Sequence, residues 1–175
     1  MLNTISLVAG LMILVVMAVV ATYFYLTSKH QELMEEWYIL RDKLRLRLDR
    51  LPLVLELFRN AVPSETALVH SVIEVKSKVW PPEKPTSDVV HKHLDLTEKL
   101  KSLFEVAAKH ETLKHNLVFL SAKKDLQAIN DEIEGLSEPY NERVRKLNHM
   151  MKFPLVKPLV LLFKLKKFPI FEFEP

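Results

Sequence analysis

The first 28 residues constrain the fold of this sequence most strongly, because no side chain between Met1 and Ser28 carries a charge. The stretch from Ile5 to Leu26 consists almost entirely of leucine, valine, isoleucine, methionine and alanine. About 22 residues of helix span about 33 Å, which is enough to cross a bilayer core of about 30 Å. The sequence therefore predicts a transmembrane helix in residues 1–28, with the lipid bilayer as its partner.

The residues at the end of this stretch are typical of a membrane interface. Tyr23 and Tyr25 close the apolar run and Lys29 follows it, so we expect these three residues at the bilayer surface. A cleaved signal peptide is the alternative, but the run is long, lacks a basic start and has no A-x-A site after it. The cations that follow the span, among several glutamates, are Lys29, Arg41, Lys43, Arg45 and Arg47. They favour a cytoplasmic location for the large domain.

Apolar residues recur at steps of three and four beyond the span, which predicts an all-α fold. The first stripe contains Leu33, Trp37, Leu40, Leu44, Leu48, Leu51, Leu55, Phe58 and Val62. We expect this helix to continue out of the membrane and to bend at Pro52 without ending there. A later stripe has a spacing close to a heptad and contains Leu126, Ile129, Ile133, Leu136, Tyr140, Val144, Leu147 and Met151.

Prolines and capping residues divide the remaining chain into further helices. The proline-rich stretch 80–87 predicts a loop. Helix N-caps are expected at Ser64, at Ser87 or Asp88, and at Asn116. Helices this long must bury their stripes, so we predict a long antiparallel bundle of three to four helices in residues 29–152. An irregular tail, 153–175, should follow it.

Several functional classes lack support in the sequence. There is no cysteine, and the 25 basic and 22 acidic residues are interleaved, so neither a thiolate site nor a nucleic-acid partner is expected. With only Gly10 and Gly135, no glycine-rich phosphate loop can form. The spacing of His110 and His115 is one residue too long for a helical zinc motif. We therefore expect no metal, cofactor, small-molecule substrate or catalysis.

A set of short motifs resembles the LemA family of bacterial membrane proteins over essentially the whole chain. The matching motifs are Glu35-Glu36-Trp37, Leu48-Asp49-Arg50-Leu51-Pro52, Leu117-Val118-Phe119-Leu120, Tyr140-Asn141, Leu147-Asn148, Phe153-Pro154 and Phe171-Glu172. The resemblance implies an anchored antiparallel helical bundle in a bacterial inner or plasma membrane, with no established enzymatic activity. The residues to which it draws attention are Trp37, Asp49, Pro52, Tyr140, Asn141, Asn148, Phe153 and Pro154.

Two features of these motifs allow a physical interpretation. Asn141 and Asn148 are seven residues apart and share one flank of a helix, so we expect them to fix helix register rather than to bind a ligand. Trp37 is expected to be a packed or interfacial anchor.

The tail 153–175 is apolar, and its basic residues are Lys157, Lys164, Lys166 and Lys167. Two alternatives remain open for it. It could lie on an anionic membrane surface, or it could fold back over the bundle as a strap.

Three functional hypotheses follow. The first is a single-pass membrane-anchored scaffold that binds a protein partner or a second copy of itself. The second is a membrane-associated regulator or hydrolase-like enzyme, in which the fold gathers His110, His115 or His149 with carboxylates. The third is a lipid-surface module that uses the tail.

Overall fold

The structure is a computed structural model that describes residues 2–171, with side chains from residue 6 onward. The chain is all-α, and within this range there is no strand. Its helices are α1 (Leu2–Ala61), α2 (Thr66–Lys78), α3 (Ser87–Lys109), α4 (Glu111–Lys114), α5 (Leu117–Met150) and α6 (Lys157–Leu162). A short 3-10 turn, Pro63–Glu65, precedes α2. Met1 and residues 172–175, which include Glu172 of the last motif, lie outside the described residues.

Helix α1 continues without a break from the apolar segment into the bundle, as the sequence predicts. An 18-residue window near its start has a mean hydropathy of 2.6 and none of its residues is buried, which makes it long and apolar enough to cross a membrane. From Leu26 onward one face is buried instead, and every residue of the predicted stripe from Leu33 to Val62 lies in the interior. The helix runs through Pro52, which lies on its exposed face.

The helices alternate in direction and form a four-helix antiparallel bundle of α1, α2, α3 and α5. Ion pairs Glu36–Arg143 and Lys43–Glu132 connect α1 with α5, and their order shows that the two helices are antiparallel. We call the end of the bundle next to the apolar segment proximal, and the end near Ala61 distal. The loop 79–86 returns the chain to the proximal end, and α4 turns it at the distal end.

The interior consists of two adjoining clusters. The distal core contains Leu48, Leu51, Val54, Leu55, Phe58, Val62, Val69, Val72, Val79, Leu96, Leu100, Leu103, Ala107, Leu113, Phe119, Ala122 and Leu126. The proximal core contains Leu26, Leu33, Trp37, Leu40, Leu44, Val89, Val90, Ile129, Ile133, Tyr140, Val144, Leu147, Met151, Phe168 and Phe171.

One of the predicted helix caps is confirmed, and two are wrong. Asn116 caps α5, because its Oδ1 accepts a hydrogen bond from the Phe119 amide at 3.0 Å. Ser64 lies inside the 3-10 turn, whose helical backbone excludes the extended geometry of a cap. Thr86 caps α3 in place of Ser87 or Asp88, since it is extended (φ −131°, ψ 150°) after Pro85 and its hydroxyl accepts from the Val89 amide.

The tail is more ordered than the predicted irregular segment. Short turns lead into α6, and Lys164 adopts a left-handed conformation with φ of 51° directly after it. The amides of Lys164 and Leu165 donate to Leu161 O and Val160 O, the paired bonds that end a helix when the next residue is left-handed. The chain then reverses, and residues 165–171 return along the bundle as an extended segment, which we call the strap.

Candidate functional site at the proximal end

The strap is held by two asparagine side chains of α5. The Asn141 amide donates to Phe171 O and its Oδ1 accepts from the Phe171 amide, both at 2.7 Å. Asn148 makes the same pair of bonds with Phe168, at 2.7 and 3.1 Å. Each asparagine thus binds a backbone unit as a neighbouring β-strand would, and satisfies groups that would otherwise be buried without partners.

The spacing of the two asparagines matches the geometry of the strap. Seven residues of α-helix advance about 10.5 Å, and three residues of extended chain advance about 10 Å. Asn141 and Asn148 can therefore bind Phe171 and Phe168 at once only if the strap runs antiparallel to α5 in extended form. The predicted role in helix register is wrong, because the partner of both asparagines is the backbone of the strap rather than a neighbouring helix.

An aromatic cluster lies beneath the strap. The Phe171 ring packs against Trp37 and His93, with centroids 6.4 and 6.1 Å away, and Tyr140 lies 6.1 Å from Trp37. The Trp37 indole N–H donates to Glu83 O at 3.1 Å, which ties the loop 79–86 to α1. Trp37 is fully buried, so its predicted role as a packed anchor fits the structure. Burial also raises the pKa of the Tyr140 hydroxyl, with the Glu36 carboxylate as a smaller cause.

A buried polar group separates the aromatic cluster from the distal core. Arg47 is fully buried, and its Nη2 donates to Thr97 Oγ1 at 2.9 Å. The Thr97 hydroxyl in turn donates to the His93 carbonyl at 2.9 Å. Burial lowers the pKa of Arg47 to about 10. The pKa of His93 falls to about 3, mainly through burial and secondly through the Arg47 charge, so this imidazole is neutral.

A cleft of about 500 Å³ opens beside Arg47, between α3 and α5. Its floor is apolar, with Leu100, Phe104 and Ala108 of α3, and its rim carries charged side chains of both signs. Among the rim residues, Lys123 lies over the Phe104 ring at 5.3 Å. An apolar floor with a polar rim is the usual surface for docking another protein segment.

The predicted interfacial residues of α1 lie where its apolar segment ends, and the tail packs on the helix there. The Phe163 ring, just after α6, packs on the Tyr23 ring with centroids 4.3 Å apart. Tyr25 is about half exposed, and the Lys29 ammonium lies 6.0 Å from its ring centroid. The four predicted interfacial lysines of the tail, Lys157, Lys164, Lys166 and Lys167, are all exposed.

A model of the LemA family matches residues 36–175 of this chain. The chain belongs to the LemA family. Comparison with curated proteins finds no match. Because the matched range begins at Glu36, the family assignment depends on the bundle and its tail rather than on the apolar segment.

The LemA motif residues divide into two groups in the structure. Trp37, Tyr140, Asn141 and Asn148 converge around the strap, where Tyr140 also lies 3.5 Å from Pro169 O. The other four do not join them, since Asp49, Pro52, Phe153 and Pro154 are exposed. For Trp37, Asn141 and Asn148 the structure thus provides a physical role, namely to dock the loop and the tail onto the bundle.

The histidines of the enzyme alternative lie apart. His110 and His115 flank α4 at the distal end, whereas His149 lies near the proximal end of α5. The His115 ring lies 3.5 Å from the Glu111 carboxylate, on an exposed surface. Across the side chains of residues 6–171 there is no group of three His, Cys, Asp or Glu residues arranged to hold a metal ion.

Sequence analysis missed the buried polar group. Arg47 was included among the cations following the span, but the structure places it in the interior. Its position was the available signal, because it falls three residues after Leu44 on the buried stripe of α1. His93 carried a similar signal, since it lies three residues before Leu96 on the buried face of α3.

Proposed function

We propose that this LemA protein is a single-pass membrane-anchored scaffold whose helical bundle binds a protein partner or a second copy of the chain. The observation that carries the proposal is the continuity of α1, in which a wholly exposed apolar segment becomes the central helix of a packed bundle. Such a segment is stable in a bilayer and unfavourable in water. The bundle therefore stands on the membrane without a flexible linker.

The orientation that we propose places the bundle in the cytoplasm, at a bacterial inner or plasma membrane. With Arg47 buried, the first exposed or half-exposed cations that follow the apolar segment along α1 are Lys29, Arg41, Lys43 and Arg45. Basic residues near a span favour the cytoplasmic side. We further propose that the protein acts by binding rather than by catalysis.

Alkaline extraction of membranes from cells that express the full chain tests the anchor. We expect the protein to stay in the membrane pellet and a Val15→Arg variant to be partly released, since arginine at the centre of a span costs about 2.5–3.5 kcal/mol. The matched control is Ser77→Arg, at an exposed position of α2, and this variant should stay in the pellet. Release of the unmodified chain at alkaline pH would refute the anchor.

The cleft between α3 and α5 is the surface that we propose for the partner. A photo-crosslinking amino acid at Lys101, which lines this cleft, should give a defined adduct in native membranes. The same amino acid at Lys78, exposed on α2, should give less of it. Equal yields at the two positions would exclude this cleft, and the absence of adducts from either position and from other exposed sites would argue against a scaffold role.

A further inference from the structure

A second cleft, of about 390 Å³, lies at the proximal end between α1, the loop 79–86 and the tail. Five basic side chains line it: His30, Lys84, Lys164, Lys166 and Lys167. They come from three separate parts of the chain, and no Asp or Glu is among the lining residues. We call this feature the basic cleft.

The part of the chain that the structure describes provides no carboxylate to neutralise the lysines of the basic cleft. Other lysines of this chain form ion pairs, such as Lys29 with Glu32 and Lys92 with Asp88. Among the side chains from residue 6 to 171, none of the four cleft lysines lies within ion-pair distance of a carboxylate. Lysines gathered without carboxylates repel one another, and a bound anion relieves that repulsion.

The fold holds the walls of the basic cleft in place. The Trp37 bond to Glu83 O fixes the loop next to Lys84, and the cation of Arg45 lies 5.2 Å from the Trp80 ring at the start of the loop. On the opposite wall, the two bonds of Asn148 to Phe168 fix the chain directly after Lys167. The left-handed turn at Lys164 begins this wall.

The basic cleft lies beside the end of the apolar segment. Phe163 packs on Tyr23, so Lys164 is adjacent to the last turn of that segment. His30 is seven residues beyond Tyr23, or about 10 Å along the helix, which places it near the outer edge of a headgroup layer about 5–8 Å thick. On α6, Leu161 and Leu162 are each 72% exposed, so apolar side chains are available next to the cations.

We propose that the basic cleft binds the phosphate of an anionic phospholipid headgroup, while Leu161 and Leu162 contact the acyl chains. The inference rests on the proposed anchor, which brings the cleft to the bilayer surface. Four lysines without a carboxylate partner among the described side chains suit a phosphate, and their position next to the apolar segment and α6 suits one that is attached to a lipid. Both alternatives that the sequence left open for the tail then apply, each to a different part of it. The strap packs on the bundle, while α6 faces the bilayer.

Lipid binding to the full chain in detergent micelles tests the proposal. Native mass spectrometry with equal amounts of phosphatidylglycerol and phosphatidylcholine should show preferential retention of phosphatidylglycerol. Replacing Lys164, Lys166 and Lys167 by glutamine should reduce the preference by up to about a hundredfold, because each lysine near an anionic surface contributes about a factor of five. The matched control replaces Lys99, Lys109 and Lys124 by glutamine and should keep the preference. These are exposed or half-exposed lysines of α3 and α5 that form no ion pair among the described side chains.

A single substitution tests the cleft independently, in case the triple variant does not fold. Lys84→Glu lies on the opposite wall of the cleft and should lower the preference about tenfold. Retention of phosphatidylglycerol and phosphatidylcholine to the same extent by the unmodified chain, or an equal loss of preference in the control triple variant, would overturn the proposal.

Two further measurements distinguish a lipid phosphate from free phosphate, and a failure of this inference from a failure of the proposed anchor. Inorganic phosphate at millimolar concentration should not displace phosphatidylglycerol, and complete displacement would assign the cleft to free phosphate instead. A chain that resists alkaline extraction but shows no lipid preference would refute this inference and leave the anchor intact. A chain that is released at alkaline pH would refute the anchor itself.

Discussion

The distal and proximal halves of this bundle are held together by different interactions. The distal core is almost entirely aliphatic, with Phe58 and Phe119 as its aromatic residues, and is formed by helix stripes that face one another. The proximal core is rich in aromatic residues, and segments without helical structure complete it. Among side chains 6–171, the long-range hydrogen bonds from side chains to backbone involve Trp37, Tyr140, Asn141 and Asn148, which all lie in the proximal half.

This difference indicates a division of roles. Facing helix stripes form the core of the distal half, and non-directional apolar burial tolerates changes of side chain that conserve volume. The proximal half depends on directional bonds that accept one partner geometry only. The part of the molecule that docks the loop and the tail is therefore the part with the stricter requirements.

The largest loss of stability should come from removing a core ring in either half. Phe58→Ala and Trp37→Ala are each expected to lower the free energy of unfolding by about 3–5 kcal/mol, since both side chains are fully buried. Denaturant unfolding of the full chain in micelles, followed by circular dichroism, measures this. Leu53→Ala, at an exposed position of α1, is the control and should change it little. A small loss for Phe58→Ala alone would show that the distal core is not structural.

Asn141→Ala should affect the proximal half only. The substitution removes two hydrogen bonds and leaves the Phe171 amide and carbonyl buried without those partners, at a cost of about 2–4 kcal/mol. Hydrogen exchange at the Phe168 and Phe171 amides should accelerate strongly, while the amides of α3 stay protected. Glu142→Ala, at the exposed position next to Asn141, should leave hydrogen exchange in the strap and in α3 unchanged. Uniform acceleration throughout the bundle would contradict the separation of the two halves.

His93 should make the stability of the protein sensitive to acid. Its pKa is about 3 when folded and about 6.5 when unfolded, so the unfolded state takes up the proton first as the pH falls. The stabilisation is complete above pH 6.5 and is lost as the pH falls toward 3. At pH 5 the free energy of unfolding should already be lower by about 2 kcal/mol than at high pH. His93→Leu should remove this component, so denaturant midpoints at pH 8 and pH 5 should differ less than in the unmodified chain. An unchanged difference would show that other groups cause the acid sensitivity.

The smallest expected effect concerns the start of α3. Thr86→Ala should lower the free energy of unfolding by about 1 kcal/mol, because it removes the hydroxyl that accepts from the Val89 amide. Ser87→Ala should change it by only a few tenths, although Ser87 was one of the caps predicted from the sequence. Thermal unfolding of the two variants side by side tests the assignment, and the reverse order would restore Ser87 as the cap.

The distal half could be predicted from the sequence almost completely. The distal positions of the first predicted stripe, Leu48, Leu51, Leu55, Phe58 and Val62, are all buried, and α5 begins directly after the predicted cap Asn116. Periodicity is sufficient there because each helix buries one face, and the spacing of apolar residues encodes that face directly.

The proximal half could be predicted only in part. Asn141 and Asn148 were singled out by their spacing, but their partners lie 30 and 20 residues further along the chain. An extended strap has no helical periodicity, and the groups to which the asparagines bind are backbone atoms that every residue has. Arg47 was misplaced for a different reason, since an arginine is seldom fully buried and its position on the stripe was given too little weight.

The continuity of α1 has a mechanical consequence. From Ser28 to Ala61 the helix is about 50 Å long, and no flexible joint separates this part from the apolar segment. Transmembrane helices tilt by about 20° on average, and the tilt grows when the hydrophobic length exceeds the bilayer thickness. Such a tilt would swing the distal end sideways by about 17 Å, more than the width of a helix. With the anchor that we propose, the bundle is therefore a lever arm, and the thickness of the surrounding bilayer would help to set how far its tip leans over the membrane.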